Sequence, residues 1–221
     1  MYLFLFSLEL LTIKLMLDDK FKNKKLNQYE LCFGYYYKFG IRFPVIIDMK
    51  ITPHVFVSGL SNMGKSKSVE YALKDKKNII LINTFRKDFK NITSARRVNG
   101  NDNILKFLTE LIKNIHFWKD PLYLVFDELL ILSLDKKIQE KIFFLLCNAR
   151  HYNIYLIAIS QNGIKENIKF KDLFNVRLCF RQVEESSYRS VLGYSPTDKN
   201  LGQQEFHIYS DKILKCKTYN F

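Results

Sequence analysis

The sequence predicts an α/β protein whose mainly parallel sheet is covered by helices on both faces. Hydrophobic residues make up 48% of the 221 residues, which is enough to bury a sizeable core. Continuous apolar runs are typical of strands buried on both faces, and segments with helical spacing alternate with them. This alternation indicates a parallel sheet, because each crossover between parallel strands is usually a helix.

The elements can be assigned in chain order. Residues 35–39 and 43–47 are predicted to form a hairpin around Gly40 at the edge of the sheet. A β-branched strand follows at 53–58, and a helix is predicted over 65–73. The remaining predictions are buried strands at 79–83, 122–126, 154–159 and 176–180, and helices over 103–115 and 138–150.

The amino terminus is predicted to be separate from the main domain. Residues 1–32 form an apolar helix and a basic linker in this interpretation, and residues 33–221 form one domain. Glu9 and Lys14 interrupt the apolar stretch, so its uncharged run is far shorter than the ~20 residues that span a bilayer. No positive start or small-residue cleavage site marks a signal peptide. A helix that docks on a partner or on a membrane surface, and a start at Met16, remain alternatives.

The charge balance favours polyanionic partners. Lys and Arg number 35 against 22 Asp and Glu, a net charge of +13. A composition rich in Lys, Asn and Ile also arises from an AT-rich genome, so charge alone leaves the partner open. The four cysteines are scattered without a Cys-x-x-Cys pair, which argues against a zinc site or a disulfide scaffold and indicates a cytoplasmic protein. Peripheral contact with a membrane stays open.

A phosphate-binding motif lies between the strand at 53–58 and the following helix. It reads Gly59-Leu60-Ser61-Asn62-Met63-Gly64-Lys65-Ser66 and matches G-x-x-x-x-G-K-[ST]. The glycines let backbone N–H groups turn toward phosphates, and the helix adds the positive end of its dipole. Lys65 is then the ligand of the β- and γ-phosphates, and the Ser66 hydroxyl is a ligand of Mg²⁺. No Asn-Lys-x-Asp guanine-reading motif follows, so ATP is favoured over GTP.

Polar residues follow two of the buried strands. Asp127 and Glu128 come after the strand at 122–126, where Asp127 would hold Mg²⁺ and Glu128 would act as general base. A helix N-cap is the alternative role for Asp127. Gln161 follows the strand at 154–159 and would sense the γ-phosphate, unless it is an ordinary polar strand end. Arg150 would reach a neighbouring subunit's nucleotide as a finger, or it complements a helix dipole.

These motifs together resemble the motor domain of the FtsK/SpoIIIE DNA translocases, within the wider HerA/FtsK superfamily. Segment 53–59 resembles the Pro-His-hydrophobic strand of that family, and segment 148–161 resembles its arginine-to-glutamine stretch. Segments 174–181 and 185–193 resemble the stretch that follows, and segment 202–206 resembles the closing hairpin. The resemblance covers about residues 33–210. The superfamily also includes conjugation coupling ATPases and viral genome-packaging ATPases.

The resemblance implies a RecA-like P-loop NTPase with ATP and Mg²⁺ as cofactors. It implies a homo-oligomeric ring, usually a hexamer, around double-stranded DNA, with Arg150 as the finger that acts in trans. Loops that grip phosphates without reading sequence would suit the charge. The basic residues that follow the strands at 79–83 and 154–159 are candidate DNA contacts or a solvated lysine face: Arg86, Lys87, Lys90, Lys165, Lys169 and Lys171.

The chain also departs from the family. Asn62 and Met63 replace the usual small residues of the phosphate loop, and segment 83–86 stands where an acidic segment is common. The role of segment 83–86 therefore stays open. The chain has no clear membrane span and no room for the DNA-reading winged helix of the large transporters.

Three functions follow from these observations. The leading hypothesis is an ATPase that translocates DNA in genome packaging or conjugative transfer, recruited by a portal, capsid or relaxase-type protein. The second is a membrane-associated assembly or secretion ATPase that moves protein. The third is a nucleotide-binding ring subunit without turnover, which the intact Lys65, Asp127 and Glu128 argue against.

Overall fold

A computed structural model of the chain describes residues 12, 14–17, 19, 25–84, 87–161, 170–210 and 213–220. Most of the apolar segment 1–17 and most of the predicted linker lie outside the described residues. Residues 14–17 are helical. Among the described residues, no helix combines the length and the apolar character needed to cross a membrane.

The strands of the described ranges belong to one ten-stranded sheet. In chain order they are β1 (Glu30–Lys38), β2 (Ile41–Asp48), β3 (Val55–Ser58), β4 (Ile79–Ile82), β5 (Arg96–Val98), β6 (Leu122–Phe126), β7 (Ile154–Ser160), β8 (Val176–Phe180), β9 (Glu205–Tyr209) and β10 (Ile213–Lys217). The parallel part has the order β8-β3-β7-β6-β4-β5, so β3 lies between β7 and β8. Because these strands are parallel, the residues that follow them meet at one edge of the sheet.

An antiparallel wing extends the sheet beyond β8 in the order β9-β10-β1-β2. The predicted amino-terminal hairpin is confirmed, and the two residues between β1 and β2 are Phe39 and Gly40. Tyr35 of β1 pairs with Lys217 of β10, so the first and last described strands are neighbours. The sheet thus carries β hairpins at one edge, as the sequence predicted.

Helices connect the parallel strands. They are α1 (Lys65–Leu73), α2 (Asn101–Lys113), α3 (Leu129–Leu132), α4 (Lys136–Asn148) and α5 (Glu185–Leu192), with short 3-10 turns at Ile115–Phe117, Ala149–Tyr152 and Lys171–Leu173. The start of α4 lies two residues before the predicted one, because the Asp135 side chain caps the helix by accepting the N–H groups of Lys137 and Ile138. The helix gives way to a 3-10 turn at Ala149.

Both faces of the sheet are buried, as the continuous apolar strands predicted. On one face Leu124 and Phe126 of β6 pack with α2, α4 and α5. On the other face Tyr123 and Val125 of β6 pack with α1 and with residues of the hairpin. The α/β fold with helices on both faces is therefore confirmed, and it holds the carboxyl ends of β3, β4, β6, β7 and β8 in fixed register.

Candidate nucleotide-binding site

The phosphate loop joins β3 to α1, and both of its glycines are required by the backbone. Gly59 has φ +152°, and a Cβ atom there would lie 2.5 Å from Cβ of Phe180 at the end of β8. Gly64 has φ +99° at the N-cap of α1, and a Cβ atom there would lie 3.0 Å from Cγ of Gln204. The loop is therefore pressed between β8 and the turn before β9, and only glycine fits at either end.

The two unusual residues of the loop also have a structural explanation. Asn62 has φ +61°, a left-handed conformation that asparagine tolerates better than most side chains. Its carbonyl accepts a hydrogen bond from Nε2 of Gln203 at 3.2 Å. Met63 packs partly buried against the core beside α1, and its carbonyl accepts the N–H of Gln204 at 2.9 Å. Asn62 and Met63 therefore fit the phosphate loop, although both are larger than the residues usual at these positions.

Lys65 begins α1 and curls back over the phosphate loop. Its Nζ donates to the carbonyl oxygens of Gly59 at 2.7 Å and Leu60 at 2.8 Å. The residue is buried, and burial lowers the pKa of its ammonium while the charges of Glu128 and Asp127 oppose that effect. The positive charge of Lys65 therefore lies against the backbone of the phosphate loop. The first N–H groups of α1, at the end of this loop, have no partner within the helix.

Asp127 and Glu128 follow β6, and their charges act on the Lys65 ammonium. Asp127 is 7% exposed. Burial, and then the charges of Asp88 and Glu128, raise the pKa of Asp127 from 3.8 to about 6, although Lys65 acts in the opposite direction. Glu128 occupies the N-cap of α3 with φ 55° and makes no side-chain capping bond there. The cap position thus belongs to Glu128 and not to Asp127, for which the helix-cap alternative was considered.

Gln161 follows β7 and contacts the phosphate loop directly. The Ser61 hydroxyl donates to Oε1 of Gln161 at 3.0 Å, and both residues are exposed at the surface of the site. This contact places an amide beside the loop, within reach of a group bound there.

A cleft of about 440 Å³ opens over the start of α1. Pockets of this size hold small-molecule ligands such as nucleotides. Its lining residues come from the phosphate loop, from α1 and from two other segments: Asn62, Gly64, Lys65, Ser66, Lys67, Asp88, Gln203 and Gln204. The Ser66 hydroxyl and the nearby Asp127 carboxylate are oxygen donors, the kind that Mg²⁺ prefers, so the residues fit a Mg²⁺-nucleotide complex.

Four of these lining residues were not predicted from the sequence: Lys67, which directly follows the motif, and Asp88, Gln203 and Gln204. Asp88 follows β4, while Gln203 and Gln204 form the turn before β9. A signal for Asp88 was available, since it follows a parallel strand next to β6 and so belongs to the same edge of the sheet. The two glutamines lay in the segment that resembled a closing hairpin, which gave no indication of contact with the phosphate loop.

Arg150 lies away from this cleft. It is exposed in the 3-10 turn that leads into β7, at the amino end of that strand. Burial, and to a smaller extent the charge of Arg150, lowers the pKa of His54, which precedes β3, to about 4. The buried Nδ1 of His54 accepts the N–H of Leu156 at 3.1 Å, so His54 is a packing residue. Arg150 therefore lies at the opposite edge of the sheet from its own phosphate loop.

Two of the candidate DNA contacts are described with their side chains. Lys87 and Lys90 are exposed on the loop after β4, on either side of Asp88. Arg86, Lys165 and Lys169 lie outside the described residues, and the side chain of Lys171 does as well.

The chain matches neither a protein-family profile nor a curated protein sequence. Solved structures nevertheless share its fold. The conjugation coupling protein TcpA of pCW3, in a monomer form with ATPγS, has a TM-score of 0.74 and 15% sequence identity over 91% of this chain and 68% of its own. The cytoplasmic domain of the Thermomonospora curvata type VII secretion ATPase EccC has a TM-score of 0.73 and 16% identity over 89% and 29%.

A viral protein shares the fold over nearly its whole length. The genome-packaging NTPase B204 from Sulfolobus turreted icosahedral virus 2, in complex with AMPPCP, has a TM-score of 0.56 and 18% identity over 76% of this chain and 98% of its own. At such identities the likeness concerns the fold alone. It confirms the predicted P-loop ATPase fold and, at the level of the fold, the resemblance to FtsK-type motors.

Proposed function

We propose that the chain is an ATP-hydrolysing motor that moves double-stranded DNA. The observation that carries the proposal is the convergence of the phosphate loop, the Asp127-Glu128 pair and Gln161 at one edge of the sheet. Each of these groups belongs to a different strand, and together they supply the parts that phosphoryl transfer to water needs.

Each residue has a separate task in this proposal. The Lys65 ammonium exchanges the carbonyls of Gly59 and Leu60 for the β- and γ-phosphates. Ser66 and Asp127 hold Mg²⁺, which neutralises the charge of the phosphates when it is bound. Glu128 accepts the proton of the attacking water. Gln161 trades its hydrogen bond with Ser61 for one with the γ-phosphate or the water, and so reports hydrolysis to the phosphate loop.

Arg150 completes the site of a neighbouring subunit. Its exposure and its location at the edge of the sheet opposite its own cleft support a role in the site of another copy. A cation from a neighbour stabilises the charge that develops during phosphoryl transfer. Head-to-tail interfaces of this kind close into a ring, and the resemblance to FtsK-type motors favours a homo-hexamer.

The charge of the chain supports DNA as the cargo. A net charge of +13 favours a polyanion, and Lys87 and Lys90 are exposed beside the cleft. The structural neighbours TcpA and B204 are named for conjugation and for genome packaging. Transfer of DNA in either setting would require a recruiting partner, such as a portal, capsid or relaxase-type protein.

A protein cargo is the second candidate. EccC is a type VII secretion ATPase, and another structure of the Thermomonospora curvata protein contains a signal sequence peptide. The same ATP site would then drive the movement of a polypeptide, and the positive charge would reflect genome composition.

Displacement of a triplex-forming oligonucleotide from linear duplex DNA tests the proposal. We expect release of the labelled oligonucleotide that requires ATP and Mg²⁺ and that Lys65→Ala abolishes. ATP turnover without release, at any DNA length, would contradict DNA translocation and favour the protein cargo.

A further inference from the structure

The loop after β4 brings a carboxylate to the nucleotide cleft that the motifs did not identify. Asp88 lines the cleft together with Lys65 and Ser66. It lies close enough to Asp127 for the two carboxylates to repel each other, and it is the strongest charged influence on that residue. Any role of Asp88 rests on the proposed function, because it concerns the same ATP site.

Arg97 of β5 holds this loop from one side. Its Nη2 donates to the carbonyl oxygen of Asp88 at 2.6 Å, and its Nη1 donates to the Thr84 hydroxyl at 2.8 Å. Charge-assisted bonds of this kind are roughly twice as strong as neutral ones. The guanidinium thus joins the start of the loop to the backbone at Asp88 and fixes the position of that residue relative to the sheet.

The phosphate-loop helix holds the loop from the other side. Glu70 of α1 is 7% exposed, and its Oε1 accepts the N–H of Asn91 at 2.6 Å. Phe89 is 2% exposed and packs into the core beside α1. The helix that begins with Lys65 and Ser66 is therefore tied to the segment that carries Asp88.

The backbone between these anchors is in an unfavourable conformation. Phe89 has φ +54°, a left-handed conformation that is strained for a residue with a side chain. The turn lets Phe89 enter the core while Asp88, the residue before it, lines the cleft. The fold thus accepts strain at Phe89 in the conformation that brings a charged residue to the nucleotide site.

The charges at this edge favour a divalent cation. Asp88, Asp127 and Glu128 bring three carboxylates near one another, while the nearby Lys65 donates its hydrogen bonds to backbone carbonyls. Mg²⁺ in nucleotide sites is held by one or two carboxylates, by water and by phosphate oxygens. The Ser66 hydroxyl and Asp127 supply only part of such a set.

We propose that Asp88 is a further positioning carboxylate of the Mg²⁺-ATP site. Its carboxylate would hold a water molecule that is bound to the metal. Asp88 would then act on the metal and leave the binding of the nucleotide itself to the phosphate loop. Because its loop is tied to α1 by Glu70, movement of that helix on ATP binding would also move Asp88.

Binding of a fluorescent N-methylanthraniloyl ATP tests this role without turnover. The full chain with Glu128→Gln is titrated with the nucleotide at MgCl₂ concentrations from zero, with EDTA, to millimolar. We expect Asp88→Asn to raise the Mg²⁺ concentration for half-maximal enhancement of binding about tenfold, as loss of an outer-shell metal partner does. Binding in EDTA should not weaken, because the change removes a negative charge beside the triphosphate.

Matched variants separate this inference from the proposed function. Asp120→Asn makes the same change at an exposed position at the amino end of β6 and should leave the Mg²⁺ dependence unchanged. Asp88→Ser, a second variant without the carboxylate, should repeat the effect of Asp88→Asn. An unchanged Mg²⁺ dependence in both Asp88 variants, or equal weakening with and without Mg²⁺, would overturn the inference. Intact binding in Lys65→Ala would instead overturn the ATP site itself.

Discussion

Replacement of Asp127 by asparagine is expected to stabilise the protein without nucleotide while removing its ATPase activity. Asp127 is buried beside the charges of Asp88 and Glu128, and its pKa is raised to about 6. Above that pH the folded protein holds a carboxylate in surroundings that disfavour its charge. Asparagine has nearly the same shape, retains an oxygen that can accept the N–H of Glu128, and carries no charge.

The size of the effect follows from the pKa. The ordinary value is 3.8, and each pKa unit corresponds to about 1.4 kcal/mol, so the ionised carboxylate lowers the free energy of unfolding by up to about 3 kcal/mol. Below about pH 4 the carboxyl group is protonated in both states and the cost is absent. Between about pH 4 and 6 only the folded state keeps the proton, so stability falls as the pH rises. Above about pH 6 the cost is complete.

Thermal unfolding of the wild type and Asp127→Asn across pH 4 to 8 measures this difference. Above pH 7 the variant should melt at a higher temperature, by up to about 6–12 °C, since about 2–4 °C corresponds to 1 kcal/mol at this chain length. The difference should vanish near pH 4. Asp120→Asn, an exposed control, should show neither effect. A variant that is no more stable than the wild type above pH 7, or a difference that does not depend on pH, would show that ionised Asp127 does not destabilise the fold.

The other predictions concern turnover and DNA. Glu128→Gln should abolish ATP turnover while ATP still binds, because it removes the base and leaves the phosphate loop intact. Lys65→Ala and Arg150→Ala should each be inactive alone. A mixture of the two should regain activity, because up to about a quarter of head-to-tail interfaces then combine an intact loop with an intact finger. Replacement of Lys87 and Lys90 by glutamine should weaken DNA binding, and the slope of its salt dependence should fall by about one for each phosphate that is no longer neutralised.

Each of these predictions has an outcome that would contradict it. Turnover in Glu128→Gln would show that another residue activates the water. A mixture that stays inactive would show that Arg150 does not act in trans. For the lysine variants the control is Lys113→Gln at the exposed end of α2, away from the cleft, and an equal loss of DNA binding in that control would remove the case for a specific contact.

Much of the parallel core could be predicted because burial on both faces leaves a plain signal. Strands β6 and β8 and helix α1 have the predicted bounds, since apolar runs end at polar residues and Gly64 fixes the start of α1. Strand β5 was missed because Arg96 and Arg97 make up most of it, and an edge strand can expose such side chains. Helix α3 is too short to show a helical period.

The residues of the candidate site that belong to sequence motifs could be predicted, and those outside the motifs could not. Lys65, Ser66, Asp127 and Glu128 share the expected edge because parallel strands must align their ends. Asp88 escaped because the lysines around it resembled a solvated face and because its position depends on the left-handed turn at Phe89, which no local pattern indicates. The contacts of the turn before β9 depend on long-range pairing of the wing, which sequence spacing does not encode.

Coupling of the ATP site to movement of DNA can be examined through the ATPase rate with and without linear duplex DNA. The rate is measured at low and moderate salt, with Lys65→Ala as the blank. We expect strong stimulation by DNA that fades as salt rises, because the grip on DNA is through phosphates. Turnover above the Lys65→Ala blank that is indifferent to DNA at either salt concentration would contradict a DNA motor.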